Sequence, residues 1–400
     1  MSPSTISANA PATSGAVRYM QGVAVPAESV DPVQFMARTR RRVNNEYSKT
    51  WQGFGTTDSV ELKKSDIISG IYVRFTGTLV VTPGTGTVSS TRRWPYDFAN
   101  AFKFTANGQS NVINCSGLKL KVREFMAPYL DLDDRGIIQS VNNVAVQQGT
   151  LSSNAESWGV GSGQTNIAGG SYPVDLIWYV PVAEDEVDLH GAIFAQTAST
   201  DLTLQAVWEL VGNLFTLTGN GAVSMTGSVQ ADSIKFSIPL DSSGNIVVPD
   251  LSTFHSVIQS RVTTVGVGPN EYRLIGQGAG KTLLRTFWQT WNGNAPQVPL
   301  VINDTNFGEV GYRFGGNETP DDWQTSQHLR YWNERLYNVD MSQWGIQCLD
   351  FAAMNAFRDA IDLGTTPDFR ILDTVQSGVN LTNAAVEYVQ ETIFAAGQGA

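Results

Sequence analysis

The amino-acid sequence predicts an all-β chain with a few helices, and three observations predict it. From about residue 58 onward, segment after segment alternates apolar with polar residues at period two. Gly-, Asn- and Ser-rich turns separate these segments. Strand and amphipathic-helix patterns do not alternate as they do in a parallel α/β sheet, so the patterning is that of a sandwich. Composition agrees. Glycine makes up 38 of 400 residues, above the usual share of about 7%, which suits many turns. Charged residues are only 16%, against roughly 25% in an average soluble protein, so Ser, Thr, Asn and Gln carry the polar load.

Residues 1–30 are rich in Ser, Ala, Pro, Gly and Val and read as an arm that cannot fold alone. A short helix is expected next, with Asp31 as N-cap, Pro32 at the first position and Gln34 completing a weak capping box. On its wheel Val33, Met36, Ala37, Val43 and Tyr47 share a face into which Arg40 intrudes, while Arg38, Arg41 and Arg42 lie away from its centre. Strands follow at Ile71–Phe75, closed by Pro83-Gly84, and at Leu118–Arg123, where Leu118, Leu120 and Val122 alternate with Lys119, Lys121 and Arg123. Asp175–Val182 is a nearly continuous apolar run, the mark of a strand covered on both faces. Leu202–Leu210 and Ile234–Leu240 alternate again.

A turn-rich break at Asp241–Asn245 divides the chain, giving an arm at 1–50, a first sandwich at 51–245 and a second at 246–400. In the second, Glu271–Ile275 and Leu283–Trp291 read as strands. A helix is expected at Asp321–Tyr337, capped by Thr319 and Pro320, with Leu329, Trp332 and Leu336 on its apolar face. A second is expected at 349–363, closed by Gly364. Val386–Ile393 fits strand or helix by periodicity alone.

The net charge is −11, which disfavours polyphosphate binding, because that affinity comes from Lys and Arg. Residues 1–50 depart from this, with six basic and three acidic side chains. Two cysteines, Cys115 and Cys348, cannot build a disulfide framework or a thiolate metal site. His190, His255 and His328 lack metal-type spacing, so neither a metal nor another cofactor is expected. No window approaches 18 apolar residues, and the N-terminus lacks the basic start and apolar run of a signal peptide.

Gly276–Thr282 (GQGAGKT) resembles a phosphate loop but is one residue short, since Ile275 stands where the first glycine belongs. Aromatic residues downstream favour a strand, so this reads as a turn or bulge. Asp131–Asp134 and Glu184–Asp188 offer carboxylates without calcium-loop spacing and read as solvated loops or caps. No Gly-x-Ser-x-Gly elbow accompanies any histidine, so no catalytic residue is assigned. Ten tryptophans suit sugar stacking, yet Trp178, Trp208 and Trp332 occupy predicted core positions. The cluster Arg38, Arg40, Arg41 and Arg42 reads either as a solvated helix face or as a surface drawn to anionic lipid headgroups; nucleic acid is the weaker fit.

The run Asp175–Phe194 (DLIWYVPVAEDEVDLHGAIF), followed by Leu202–Trp208, resembles a stretch in the major capsid proteins of tectivirus-type, membrane-containing bacteriophages. Val248–Thr253 is similar to that family's Asp-Leu-Ser-Thr link between barrels, and Val386–Tyr388 with Thr392 to its last strand. Order and spacing agree over about residues 60–395, although the Ser/Ala-rich arm is longer here and a helix at 349–363 has no counterpart. The resemblance implies two tandem eight-stranded jelly rolls in a homotrimeric, pseudo-hexagonal capsomer that tiles an icosahedral shell. It further implies an arm facing an internal lipid membrane, with Arg38, Arg40, Arg41 and Arg42 toward the lipid.

The function expected is therefore that of a capsid shell subunit enclosing a membrane and a DNA genome. Its expected partners are other copies, vertex and minor capsid proteins and the membrane surface, without direct nucleic-acid contact; its place is the virion, after assembly in the host cytoplasm. The rival readings are a jelly-roll carbohydrate- or receptor-binding phage protein and a β-sandwich glycoside hydrolase with paired acids.

Overall fold

The computed structural model describes residues 17–20, 23–26, 30–106, 109–126, 156–195, 201–242, 244–294, 296–315, 322–323, 325–337, 340–353, 357–366 and 368–395. A hairpin, β1 (Val17–Met20) and β2 (Val23–Pro26), precedes α1 (Pro32–Met36). Then come β3 (Arg41–Thr50), β4 (Thr57–Glu61), β5 (Ile67–Thr82), β6 (Val88–Ser90), β7 (Ala99–Ala106), β8 (Gln109–Cys115) and α2 (Gly117–Phe125). The first half finishes with β9 (Gly170–Val180), β10 (Ile193–Phe194), β11 (Leu202–Trp208), α3 (Val211–Leu214), β12 (Phe215–Leu217) and β13 (Ala222–Phe236). The second half runs β14 (Thr253–Val262), β15 (Gly268–Arg273), β16 (Lys281–Asn292), β17 (Val298–Pro299), β18 (Phe307–Arg313) and β19 (Asp322–Trp323). It ends with α4 (Ser326–Tyr337), β20 (Ile346–Asp350), β21 (Ile361–Asp362), β22 (Arg370–Val375) and β23 (Ala385–Ala395).

These strands build two sandwiches that share a sheet. One face of the first is the five-stranded sheet of β10, β5, β13 and β3, with β9 on the other side of β5; one face of the second is β15-β22-β18-β19. A ten-stranded sheet backs both, running β17-β16-β23-β14-β8-β7-β11-β4, with β20 and β21 also paired to β16. Its join is parallel: β14 meets β8 through Val257↔Ile113 and Ile258↔Asn114. The other strand pairs are antiparallel, as expected of period-two segments half covered by a core.

Alternation places the cores. Ile71, Val73 and Phe75 of β5, Leu176 and Trp178 of β9, and Leu202, Leu204 and Trp208 of β11 are buried together. Trp51, Phe98 and Trp208 make edge-on or tilted ring contacts with centroids 4.8 to 6.4 Å apart. The second core gathers Tyr272, Trp288, Val310, Tyr312, Phe369, Ile371 and Tyr388. Val386–Ile393, open between two readings in the sequence, is strand β23.

Several expectations are corrected. Leu118–Arg123 is not a strand but lies in α2, capped by Ser116 Oγ and by Asp97 Oδ1, which accepts from Leu118 N at 3.2 Å. Alternation misleads there because Lys119, Lys121 and Arg123 are buried along with the leucines, so the segment has no solvent face to mark its period. The helix after Asp31 stops at Met36; Arg41 to Thr50 pair with β13, and Val33, placed on the apolar face, is 73% exposed whereas Phe35 is buried. Val43, Tyr47 and Thr50 favour a pleated strand over a second helical turn. Helix α4 begins only at Ser326 and buries Leu329, Asn333 and Tyr337, leaving Trp332 42% exposed. The expected caps Thr319 and Pro320 lie outside the described residues. Over 349–363 the described residues are the end of β20, a 3-10 turn at Phe357–Asp359 and β21, because β20 and β21 are drawn onto β16. Leu240, expected in a strand, is past the end of β13 and exposed.

Candidate functional site

The most elaborate polar constellation lies where the sandwiches meet. Lys119 and Arg123 sit four residues apart on α2 and therefore project from one helical face. Glu387 and Glu391 sit four apart on β23 and share one face of that strand. Arg123 Nη2 reaches Glu391 Oε1 at 2.9 Å, and Lys119 Nζ lies 3.8 Å from Glu387 Oε2. The helix rises about 6 Å over four residues and the strand about 13 Å, so long basic side chains take up the mismatch.

Each carboxylate gathers further donors. Glu387 accepts from Arg93 at 2.7 Å, from Arg261 at 2.8 Å and from the Trp291 indole at 2.8 Å. The Arg93 guanidinium also stacks over the Trp291 ring at 4.1 Å and donates to Asp97 at 2.8 Å. Glu391 accepts from His255 Nε2 at 2.8 Å and has Arg285 Nε 3.6 Å from its second oxygen. Arg285, its cross-strand neighbour, donates to Glu184 at 3.2 Å and lies 3.6 Å from Asp350. Arg123 also donates to the Glu184 carbonyl at 2.8 Å.

Burial opposes charge on these groups, and their partners decide the balance. Arg123 and Arg285 overcome desolvation and hold Glu391 well below the usual carboxylate range. Arg93 and Lys119 do the same for Glu387, in the same direction. Glu184 goes the other way: desolvation outweighs the two arginines and pushes its carboxyl up to about 7. Lys119, wholly buried and bonded to the Gln289 amide oxygen, is lowered by the same desolvation. Removing one member of such a cluster leaves a charge buried without its partner, so the seam holds the halves in one relative placement.

The sequence-predicted residues fare unevenly. Arg38, Arg40, Arg41 and Arg42 are all exposed, on the connection from α1 and the start of β3. Arg41 donates to Glu186 at 2.8 Å, and the other three pair with no carboxylate among the described residues. The Gly276–Gly280 segment is a loop leading into β16, held by Gln390 Nε2, which donates to the Ile275 carbonyl at 2.6 Å. Among the described residues no group of His, Cys, Asp and Glu could hold a metal ion; Asp131–Asp134 lies outside them. Glu184, read as a solvated loop residue, is buried, and His255 is a buried member of the seam. His190 stands edge-on to Phe357, with ring centroids 5.3 Å apart. The seam itself was hidden, because its basic residues mimic the wet face of a strand. The Ser116 cap and two glutamates four apart on β23, in a chain poor in charge, were the available signals.

No protein-family model matches the chain, and no curated protein matches it. Solved structures do. The chain is similar to the MCP of STIV, with 15% identity and a TM-score of 0.63 over 89% of this chain and 97% of that one. A structure of the Sulfolobus turreted icosahedral virus matches at 16% identity and TM-score 0.61, covering 89% of this chain and 91% of that one. The PBCV-1 virus capsid follows at 11% identity and TM-score 0.53, covering 90% and 95%. Two sandwiches side by side on a common sheet, matched over nearly the whole of each chain, identify the architecture: this chain has the double jelly-roll fold of viral major capsid proteins.

Proposed function

We propose that this chain is the major capsid protein of a membrane-containing bacteriophage, with no catalytic role. Its two jelly rolls take up residues 41–245 and 246–400, since β3 is a strand of the first sandwich, and the residues before 41 are its inward arm. Three copies make a pseudo-hexagonal capsomer, and capsomers tile an icosahedral shell around a membrane and DNA genome, in contact with vertex and minor proteins and assembled in the host cytoplasm. The observation that carries this reading is the two-sandwich fold on one ten-stranded sheet. A rigid pair of similar units gives one subunit two of the six sides of a near-hexagonal tile, and three copies close it by rotation. Arg38, Arg40, Arg41 and Arg42, where the arm runs into β3, face the internal membrane, where each basic group near anionic lipid adds about 1 kcal/mol. Arg41, already engaged by Glu186, contributes least.

Light scattering and negative-stain microscopy of the purified protein test this. The expected result is a trimer with a pseudo-hexagonal outline that forms plates; a monomer at micromolar concentration overturns it. The alternative, a carbohydrate- or receptor-binding phage protein, draws on one observation: Tyr331 and Trp332 are adjacent and exposed on α4. It expects glycan-dependent binding by isolated trimers that form no plates.

A further inference from the structure

The side chain of His255 lies at the point where four elements converge, and its two ring nitrogens face different sandwiches. Nε2 is 2.8 Å from Glu391 Oε1 on β23, and Nδ1 is 2.8 Å from the carbonyl oxygen of Pro181, just past β9. Both partners are oxygens that accept: one belongs to a carboxylate that Arg123 and Arg285 keep ionised, the other to the backbone. A neutral imidazole has one N–H and one lone pair. Either neutral tautomer therefore sets a lone pair against an oxygen at 2.8 Å, in a site without exposed surface on the ring. Only the doubly protonated ring donates on both sides.

We infer that His255 is held as a buried imidazolium whose second proton latches the first sandwich to the second. Charged groups of both signs lie around this part of the seam. Glu391 presents its carboxylate from β23; Glu184 lies in the loop after β9 beside Asp185, and Asp350 ends β20. Facing them are two other cations, Arg123 of α2 and Arg285 of β16, both already committed to those carboxylates. The loop also approaches closely enough to dictate its own sequence: Gly191, at φ +83°, passes so near that a Cβ there would stand 2.3 Å from His255 Cβ. Loss of the second proton removes the donor to Pro181 or the donor to Glu391, and with it a direct bond between the halves or the neutralisation of a buried carboxylate. The seam is thus closed while the ring holds both protons and loosened when it loses one.

Selective nitrogen-15 labelling of histidine in the full chain tests the protonation state, with His190 and His328 as the other two signals. At pH 7 one ring should show both nitrogens protonated, and that signal should vanish in His255→Gln. If no ring is doubly protonated at pH 7, or if the signal survives the substitution, the inference fails. Hydrogen exchange tests the latch: in His255→Gln, α2 and residues 181–192 should exchange at least tenfold faster than in the parent at the same pH. Unchanged exchange there overturns the latch. Should that variant not fold, assignment comes by elimination: the doubly protonated signal should persist in both His190→Gln and His328→Gln, and its loss in either overturns the inference.

Discussion

Asp373 is a carboxylate in the second core, 1% exposed, with the Trp288 indole donating to Oδ2 at 3.2 Å and the Gln347 side chain also beside it. Among the described residues no cation offsets its burial, and desolvation pushes its carboxyl from 3.8 up to about 7. In the unfolded chain the same group loses its proton near its ordinary value. Between about pH 4 and pH 7 the folded state therefore binds the extra proton, and stability falls as the pH rises, levelling above about 7. At about 1.4 kcal/mol per pH unit, this one group removes roughly 4 kcal/mol across that window. Asp373→Asn keeps an oxygen for Trp288 and cannot ionise. Urea unfolding of parent and variant, at one protein concentration and at pH 4.5 and pH 8, isolates the effect, because other titrations cancel in the difference. The variant should gain about 3 kcal/mol relative to the parent on going from pH 4.5 to pH 8. A difference that does not change with pH refutes the assignment of a buried, protonated carboxyl.

The remaining predictions concern the seam, the loop and the arm. Arg285→Met should cost about 3–5 kcal/mol in the same unfolding assay, because Glu184, Asp350 and Glu391 all lose a buried cation. Arg41→Gln, at an ion pair whose arginine is 45% exposed, should cost under about 1 kcal/mol. Gly191→Ala should destabilise by about 2–4 kcal/mol, since its φ of +83° and the His255 contact both resist a Cβ; a neutral result would mean the loop can retreat. Replacing Arg38, Arg40, Arg41 and Arg42 together with Gln should weaken binding to anionic liposomes in a flotation assay, and unchanged flotation would leave these side chains as a solvated edge.

Much of the fold was legible because a strand half covered by a core must alternate at period two. β5 and β11 were visible in this way, and β9 as a nearly continuous apolar run whose outer positions the structure leaves half-buried; the turn at 241–245 falls between β13 and β14. The arm's arginines were visible as charge, but their backbone was not. Pro32 and Asp31 do start a helix, yet nothing local says that the chain leaves it after Met36 to pair with β13.

By itself, then, the amino-acid order determined which side chains alternate, where the turns fall and that the charged residues are few. Only the tertiary structure decided that Leu118–Arg123 coils into a helix between two sandwiches and that Lys119, Arg123, His255, Glu387 and Glu391 meet there. The physical reason is that a local pattern reports burial on one face of one element. Partners more than a hundred residues apart are joined by packing, and a buried charge looks like a wet one until its counterion is in place.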